Sequence, residues 1–336
     1  MITTSVTPLR VSFLGGGSDY AEHFLNGYKG FVFGTTINLY VYVSAIRNSK
    51  ISGKKYKISY RELDECDEVE EIKHPVVKAC LQKLNWDGGG LHISTMSDVP
   101  AGTGLGSSSS FTVGLLQTIY SLQGAMDVNP QKLAEEAINI ERRHLNEAGG
   151  IQDQLHASFG GLSAYEISGG GILHLSGIAT EKVKYLSQSM FLVSVGTPRS
   201  SAIQAEKWIA IAQSQPNQES LDSLSKIAEE TYSNFQRAKN GPRSLEILAN
   251  AMNESWEIKN SLAKSANHEL GLVETMIQRG ISAGAIAGKL CGAGSSGFVL
   301  FLVPIERQKK FLSILSQDNP KQIQVESRGS WLAKLC

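Results

Sequence analysis

Covalent cross-links have little to work with in this sequence. Its 336 residues include four cysteines, Cys66, Cys80, Cys291 and Cys336, far apart and with no CxxC pair or histidine cluster. That spacing argues against a structural zinc and against a disulfide framework, and it fits a reducing compartment. No apolar run approaches the roughly 20 residues that a membrane-spanning helix needs. The opening MITTSVTPLR has no basic-then-apolar leader pattern, so a cytoplasmic location is expected. An excess of either charge is also missing, with 32 Lys+Arg against 32 Asp+Glu. Neither nucleic acid nor a membrane is expected as a partner, and any anion binding has to be local.

What is present is a globular composition, 41% hydrophobic and 19% charged, in a chain long enough for two domains. The first half reads as glycine-broken strands, at VTPLRVSFL, GFVFGTTINLYVYVSA, KISYREL and LHIST. Two helices follow. One runs from Ser108 to about Gln123 and is apolar on nearly every face, hence buried. The other opens at the cap pair Asn129-Pro130 and continues through QKLAEEAINIERRHLN. GGLSAYEI, GILHLS and MFLVSVG read as further strands. From Pro198 the texture turns helical, through WIAIAQSQ, LDSLSKIAEETYSNFQRAK, SLEILANAMNESWEIKNSLAK and NHELGLVETMIQRG. It ends on strands GAIAGKLC and FVLFLV, a helix entered through Pro304, and IQVES. The expected class is α+β, with an N-terminal domain over 1–185 and a helix-rich one over 186–336.

The chemistry begins at DVPAGTGLGSSSSF, residues 98–111. Glycines allow positive φ and close approach to a ligand. A helix N-terminus presents unpaired N–H groups and partial positive charge, so the two together make a phosphate cradle. Hydroxyls on that first turn can cap the helix, bind phosphate oxygens or give an oxygen to Mg²⁺. An ordinary serine-capped loop is the plainer reading. No Lys-Ser/Thr pair follows the glycines, so this is not a Walker A loop. Gly292-x-Gly294-x-x-Gly297 is followed by an apolar strand-like run, which disfavours a dinucleotide fingerprint there.

Two carboxylates stand out. Counted as an α-helix, Glu141 falls in the apolar stripe of Ala134, Ala137, Ile138 and Leu145. A buried carboxylate must neutralise, pair with a cation or bind a metal, so an ion pair with an arginine and a Mg²⁺ site both stand. Asp153, in AGGIQDQLHASFGG, reads as part of a glycine-flanked turn suited to presenting a carboxylate, or as plain turn chemistry.

Three motifs in order resemble the GHMP small-molecule kinases: TPLRVSFLGGGSDY (7–20), VPAGTGLGSSSS (99–110) and KLCGAGSSGFVLF (289–301). In the third, Ser295 and Ser296 interrupt what is often an unbroken glycine run. HPVVKACL, IERRHLNEAGGIQDQ, TPRSSA and ESWEIKNSL look like the heptose 7-phosphate kinase subgroup. The resemblance implies a GHMP kinase fold, with an N-domain like domain 2 of ribosomal protein S5 and a ferredoxin-like, helix-rich C-domain. ATP and a sugar phosphate would bind between them, with Mg²⁺. Asp153 would be the catalytic base, and Arg10 would hold it charged and steady the transferring phosphoryl group. Glu141 and Ser108 would ligate Mg²⁺. Pro100, Gly102, Gly104, Leu105, Gly106, Ser107, Ser108 and Ser109 would cradle the nucleotide. Gly16, Gly17, Ser18 and Asp19 would bind the sugar, with Gly292 and Gly294 in the third loop. Arg199, Lys259 and Lys289 are the cations nominated for a substrate phosphate, each otherwise a solvated charge. A homodimer is the candidate assembly. The competing readings are another anomeric sugar kinase, for fucose or galactose, and a catalytically silent sugar sensor.

Overall fold

The computed structural model describes residues 2–48, 53–87, 89–196, 215–265, 270–292 and 296–333. Two sheets carry the fold. The larger has eight strands: β1 (Thr3–Leu14), β2 (Gly30–Asn48), β3 (Tyr56–Ser59), β4 (Leu63–Cys66), β5 (Gly90–Ser97), β6 (Leu162–Ser168), β7 (Gly171–Leu175) and β12 (Trp331–Leu332). Its order is β12-β1-β2-β5-β3-β4, with β6 and β7 added on the other half of β2. The smaller sheet contains β8 (Met190–Val195), β9 (Ala287–Leu290), β10 (Gly297–Leu302) and β11 (Lys321–Gln322), in the order β11-β8-β10-β9.

β2 shows why its sequence reads two ways. From Leu39 to Ala45 burial alternates residue by residue, as a strand with one wet face must. From Gly30 to Ile37 every residue is buried, because a helix covers the second face. That helix is α7 (Gln215–Arg237), which sets Tyr232 and Phe235 against Phe33 with centroids 5.3 and 5.6 Å apart. β1 carries a bulge between Pro8 and Leu9, where the missing N–H of proline is least costly. Arg10 lies just past it.

The other helices are α1 (Ala21–Phe24), α2 (Pro75–Lys83), α3 (Ser107–Leu122), α4 (Pro130–Ile138), α5 (Gln152–Phe159), α6 (Thr180–Ser189), α8 (Gly241–Ser265), α9 (Gly271–Ala283) and α10 (Gln308–Ile314). α3 buries every residue from Thr112 to Tyr120 as it crosses β1 and β2, in keeping with its apolar composition. α4 starts as the sequence suggests, with the Asn129 side chain accepting from Gln131 N at 2.8 Å and Pro130 in the first turn. One apolar core runs from the large sheet through Leu192 and Leu300 of the small one. Successive residues of β8 split between that shared core and a second one built with α9 and α10. Among the described residues no helix is long and apolar enough to cross a membrane.

Three local expectations need correction. KISYREL is not one strand, since β3 ends at Ser59 and β4 begins at Leu63. α4 does not run on as an α-helix through Glu141: residues Asn139–His144 form a π-helical turn, with Leu145 N bonding Ile140 O. Asp153 is not in an open turn but in the first turn of α5. The segment WIAIAQSQ lies almost wholly outside the described residues.

Candidate active site

The end of β1, the loop before α3, the π-turn and the start of α5 meet in one place. The loop holds three glycines at positive φ, Gly102 at 77°, Gly104 at 80° and Gly106 at 76°, a conformation that side chains rarely adopt. Gly106 stands at the N-cap of α3 and has no side chain to cap it, which leaves the first N–H groups of the helix turned to the loop. Space is the second reason for glycine. A Cβ on Gly104 would lie 2.2 Å from Cys291 O, and one on Gly292 would lie 2.6 Å from Gly104 Cα. The second and third glycine motifs are therefore packed backbone to backbone. Gly292 serves this contact, and Gly294 lies outside the described residues.

Arg10 ties the loop to α5. Its Nε and Nη2 donate to Asp153 Oδ1 and Oδ2, both at 2.7 Å, while Nη1 donates to Gly104 O and its main-chain N to Leu105 O. Fork-to-carboxylate geometry of this kind fixes orientation as well as charge. Arg10 is buried, and the Asp153 side chain keeps 22% exposure, so the pair faces open space through the carboxylate. Asp153 sits where the partial positive charge of a helix start favours an anion.

Glu141, 1% exposed, lies on the inner face of the π-turn. Wide turns of this type are frequent at functional sites. Its Oε2 accepts from Ser109 Oγ at 2.8 Å and from Gln154 Nε2, with Arg142 Nη2 at 3.4 Å. Arg142 is mostly occupied with the carbonyls of Glu147, Ala148 and Gly150. Glu141 Oε1 is buried with no partner among the described residues. The hydroxyl that meets Glu141 is therefore that of Ser109, with Ser108 exposed on the first turn of α3. Sequence reasoning missed Gln154 as a partner, since a glutamine beside an aspartate carries no signal of burial. Nearby, burial and then the Glu141 charge push the Cys80 thiol well up, and the same two causes raise Glu147.

An unpartnered buried carboxylate oxygen beside a phosphate-type loop fits Mg²⁺, which takes one or two carboxylates and completes its shell with phosphates and water. Among the described residues no cluster of three or more acidic, histidine or cysteine side chains holds a metal by itself.

The first glycine loop packs on the start of α5. Ser18 and Asp19 are fully buried. The Ser18 hydroxyl bonds Gly15 O and Phe31 O, and the Asp19 carboxylate accepts from Gly17 N at 3.0 Å, Gln152 N at 3.0 Å and Gln152 Nε2 at 3.1 Å. Asp19 thus caps α5 from a distant loop. Gly150 allows this, since a Cβ there would fall 1.9 Å from Asp19 Oδ2. Gly16 and Gly17 remain partly exposed.

Of the nominated cations, Lys259 reaches Gly16 and Lys289 lies beneath it. Lys289 is 5% exposed and donates to Ser12 O and Phe13 O at 2.8 Å each. Burial, with Lys259 and Arg10 adding repulsion, holds its pKa well below the usual lysine range. Lys259 is lowered to about 8 by desolvation, opposed by Asp19 and assisted by Arg10. Arg199 lies outside the described residues.

Comparison with known proteins decides the family. Residues 71–161 match the GHMP kinases N terminal domain, and residues 221–324 match the GHMP kinases C terminal domain. The chain belongs to the GHMP kinases. It is 27% identical over 328 residues to a D-glycero-alpha-D-manno-heptose 7-phosphate kinase of Campylobacter jejuni, covering 93% of this chain and 92% of that one. A crystal structure of a D-glycero-D-manno-heptose 1-phosphate kinase from Bacteriodes thetaiotaomicron superposes with a TM-score of 0.77 at 24% identity, over 100% of both chains. The Lactococcus lactis galactokinase complexed with galactose superposes at 0.70 with 18% identity, over 99% of this chain and 95% of that one. These matches bear out the α+β GHMP kinase fold, and kinases of this family use ATP as phosphate donor.

Proposed function

We propose that this kinase transfers the γ-phosphoryl group of ATP to the anomeric hydroxyl of D-glycero-D-manno-heptose 7-phosphate, giving the 1,7-bisphosphate and ADP. The observation that carries the reading is Arg10, which joins Asp153 to the Gly104 carbonyl of the phosphate loop. One side chain thereby sets a carboxylate beside the place where a triphosphate fits.

In this reading the loop from Pro100 to Gly106 and the first turn of α3, Ser107 to Ser109, cradle the phosphates through N–H groups and hydroxyls. Asp153 accepts the proton of the anomeric hydroxyl as its oxygen bonds to the γ-phosphorus and the bond to the β-phosphate oxygen breaks. Positioning and charge supply most of the acceleration in such transfers. Glu141, with Ser108, would hold Mg²⁺, which neutralises charge on the β- and γ-phosphates when bound. Gly16 and Gly17 line the sugar site, while Ser18 and Asp19 shape it from beneath. The heptose 7-phosphate kinase named above supports the choice of sugar. Lys259 takes the 7-phosphate; Lys289, already committed to two carbonyls, stiffens the end of β1 under it. Arg199 stays a nominee for the same phosphate.

A coupled ADP-release assay over a panel of sugars tests this. ADP formation that depends on heptose 7-phosphate supports it. Dependence on unphosphorylated galactose or fucose overturns the substrate, and sugar binding without turnover overturns the activity.

A further inference from the structure

The surroundings of Gly16 contain polar atoms that phosphoryl transfer leaves unused. A side chain on Gly16 would begin 3.3 Å from Gln152 Nε2, 3.3 Å from Lys259 Nζ and 3.5 Å from Ser12 Oγ. The absent side chain therefore leaves a space that these three groups line. Ser12 Oγ and Gln152 Oε1 are both buried without a hydrogen-bond partner among the described residues, and Gln152 as a whole is 7% exposed. Buried polar atoms are usually paired, and two unpaired ones facing a shared space are suited to a ligand.

The Gln152 amide has a defined direction. Its Nε2 donates to Asp19 Oδ1, and its main-chain N–H donates to Asp19 Oδ2. A carboxylate only accepts, so the amide nitrogen must face Asp19 and the oxygen must face away. A carboxamide oxygen is itself only an acceptor. The ligand atom that Oε1 meets has to carry a hydrogen, while the second N–H of Nε2, the Gln152 atom nearest the Gly16 space, needs an acceptor; a hydroxyl serves both, and a phosphate or ether oxygen only the second. The phosphate then belongs on the Lys259 side and a hydroxyl on the Gln152 side.

We propose that Gln152 and Ser12 are the specificity-determining residues of the acceptor site, Gln152 Oε1 accepting from one sugar hydroxyl and Ser12 Oγ bonding a neighbouring one, with Asp19 as the positioning residue that aims the amide. The inference rests on the sugar-phosphate kinase reading above. A site built on buried hydrogen-bonding groups discriminates against a substrate lacking the matching hydroxyl far more sharply than an apolar pocket does.

The test is calorimetric binding of heptose 7-phosphate and its 2-, 3- and 4-deoxy analogues to the wild-type chain and to Ser12→Ala, Gln152→Met and Asp19→Asn. ADP release and thermal midpoints are measured in parallel. At least one analogue should bind the wild type ~100-fold more weakly than the parent sugar, and that penalty should shrink to within about threefold in the variant lacking its partner. Asp19→Asn should blunt the same penalty while leaving the KM for ATP unchanged, which loss of a purely structural contact would not do. Ser12→Ala decides the matter if Gln152→Met or Asp19→Asn fails to fold. Equal penalties in wild type and variants, or none for any analogue, overturn the inference. Selective binding without ADP overturns the kinase reading alone, and ADP without selectivity overturns this inference alone.

Discussion

Arg10 and Asp153 form a two-pronged ion pair across 143 residues of chain, with both N–O distances at 2.7 Å. The pair lies at the point where the first and second glycine loops meet α5, and it organises the expected behaviour of variants.

Asp153→Asn keeps the shape of the side chain and removes the carboxylate proposed to accept the proton. Turnover should fall by ~10²–10⁴, the range a positioned general base contributes, with the KM for ATP little changed. Arg10→Lys keeps the charge but not the fork, so it should lower kcat and also raise the KM for ATP, because the Gly104 contact goes with it. Steady-state kinetics on both substrates check both. An Asp153→Asn variant within twofold of wild type would remove Asp153 from the mechanism.

Glu141→Gln replaces the buried carboxylate with an amide of equal size. Turnover should drop by ~10²–10³, typical for the loss of one charge-stabilising group, and excess Mg²⁺ should recover part of it. Chelation with EDTA should abolish ADP release by the wild type, and Mg²⁺ titration of both proteins gives the readout.

Lys259 carries the pH prediction. Its pKa of about 8, lowered mainly by desolvation, leaves the ammonium charged below that pH and neutral above it. The kcat/KM for the phosphorylated sugar should therefore be level up to about pH 8 and fall beyond. Lys259→Gln should remove that limb and raise the KM for the sugar phosphate about 10- to 100-fold, as expected for a lost charge-assisted hydrogen bond. The KM for ATP should not follow.

His156 should contribute to acid sensitivity. It is fully buried on α5, neither ring nitrogen has a partner among the described residues, and burial holds its pKa to about 3 against 6.5 in the open chain. The unfolded chain then binds the proton that the folded one refuses. This contribution is complete above pH 6.5 and shrinks by ~1.4 kcal/mol per pH unit as pH falls toward 3. Urea unfolding at stepped pH should show that slope, and His156→Gln should flatten it.

The elements legible in the sequence are those whose signal is local. The apolar α3, the Asn129-Pro130 cap and the glycine loop each state their conformation within a few residues. α5 was hidden because it is eight residues long and buries Gln152, Gln154 and His156, polar side chains that erase the amphipathic pattern. The π-turn was hidden because α-helical counting brings Glu141 to the inner face just as the real geometry does. The pairing of Glu141 with Ser109 depends on the rotation of α3 about its axis, which four identical serines cannot report. Lys289 resembled a ligand-binding cation in sequence, and only the fold turns its ammonium onto the carbonyls of Ser12 and Phe13.

β1 is flanked on its outer side by β12, and Thr7 meets Ser330 hydroxyl to hydroxyl across 323 positions. The same late segment covers the far end of α5, where Ser330 N bonds Ala157 O. Until residues 326–333 have left the ribosome, β1 lacks its edge partner at Ser5 and Val6 and the helix bearing Asp153 lacks its outer seal. Nascent chains should therefore be inert and prone to edge-to-edge association, with phosphoryl transfer beginning only once the two distant segments have closed on each other.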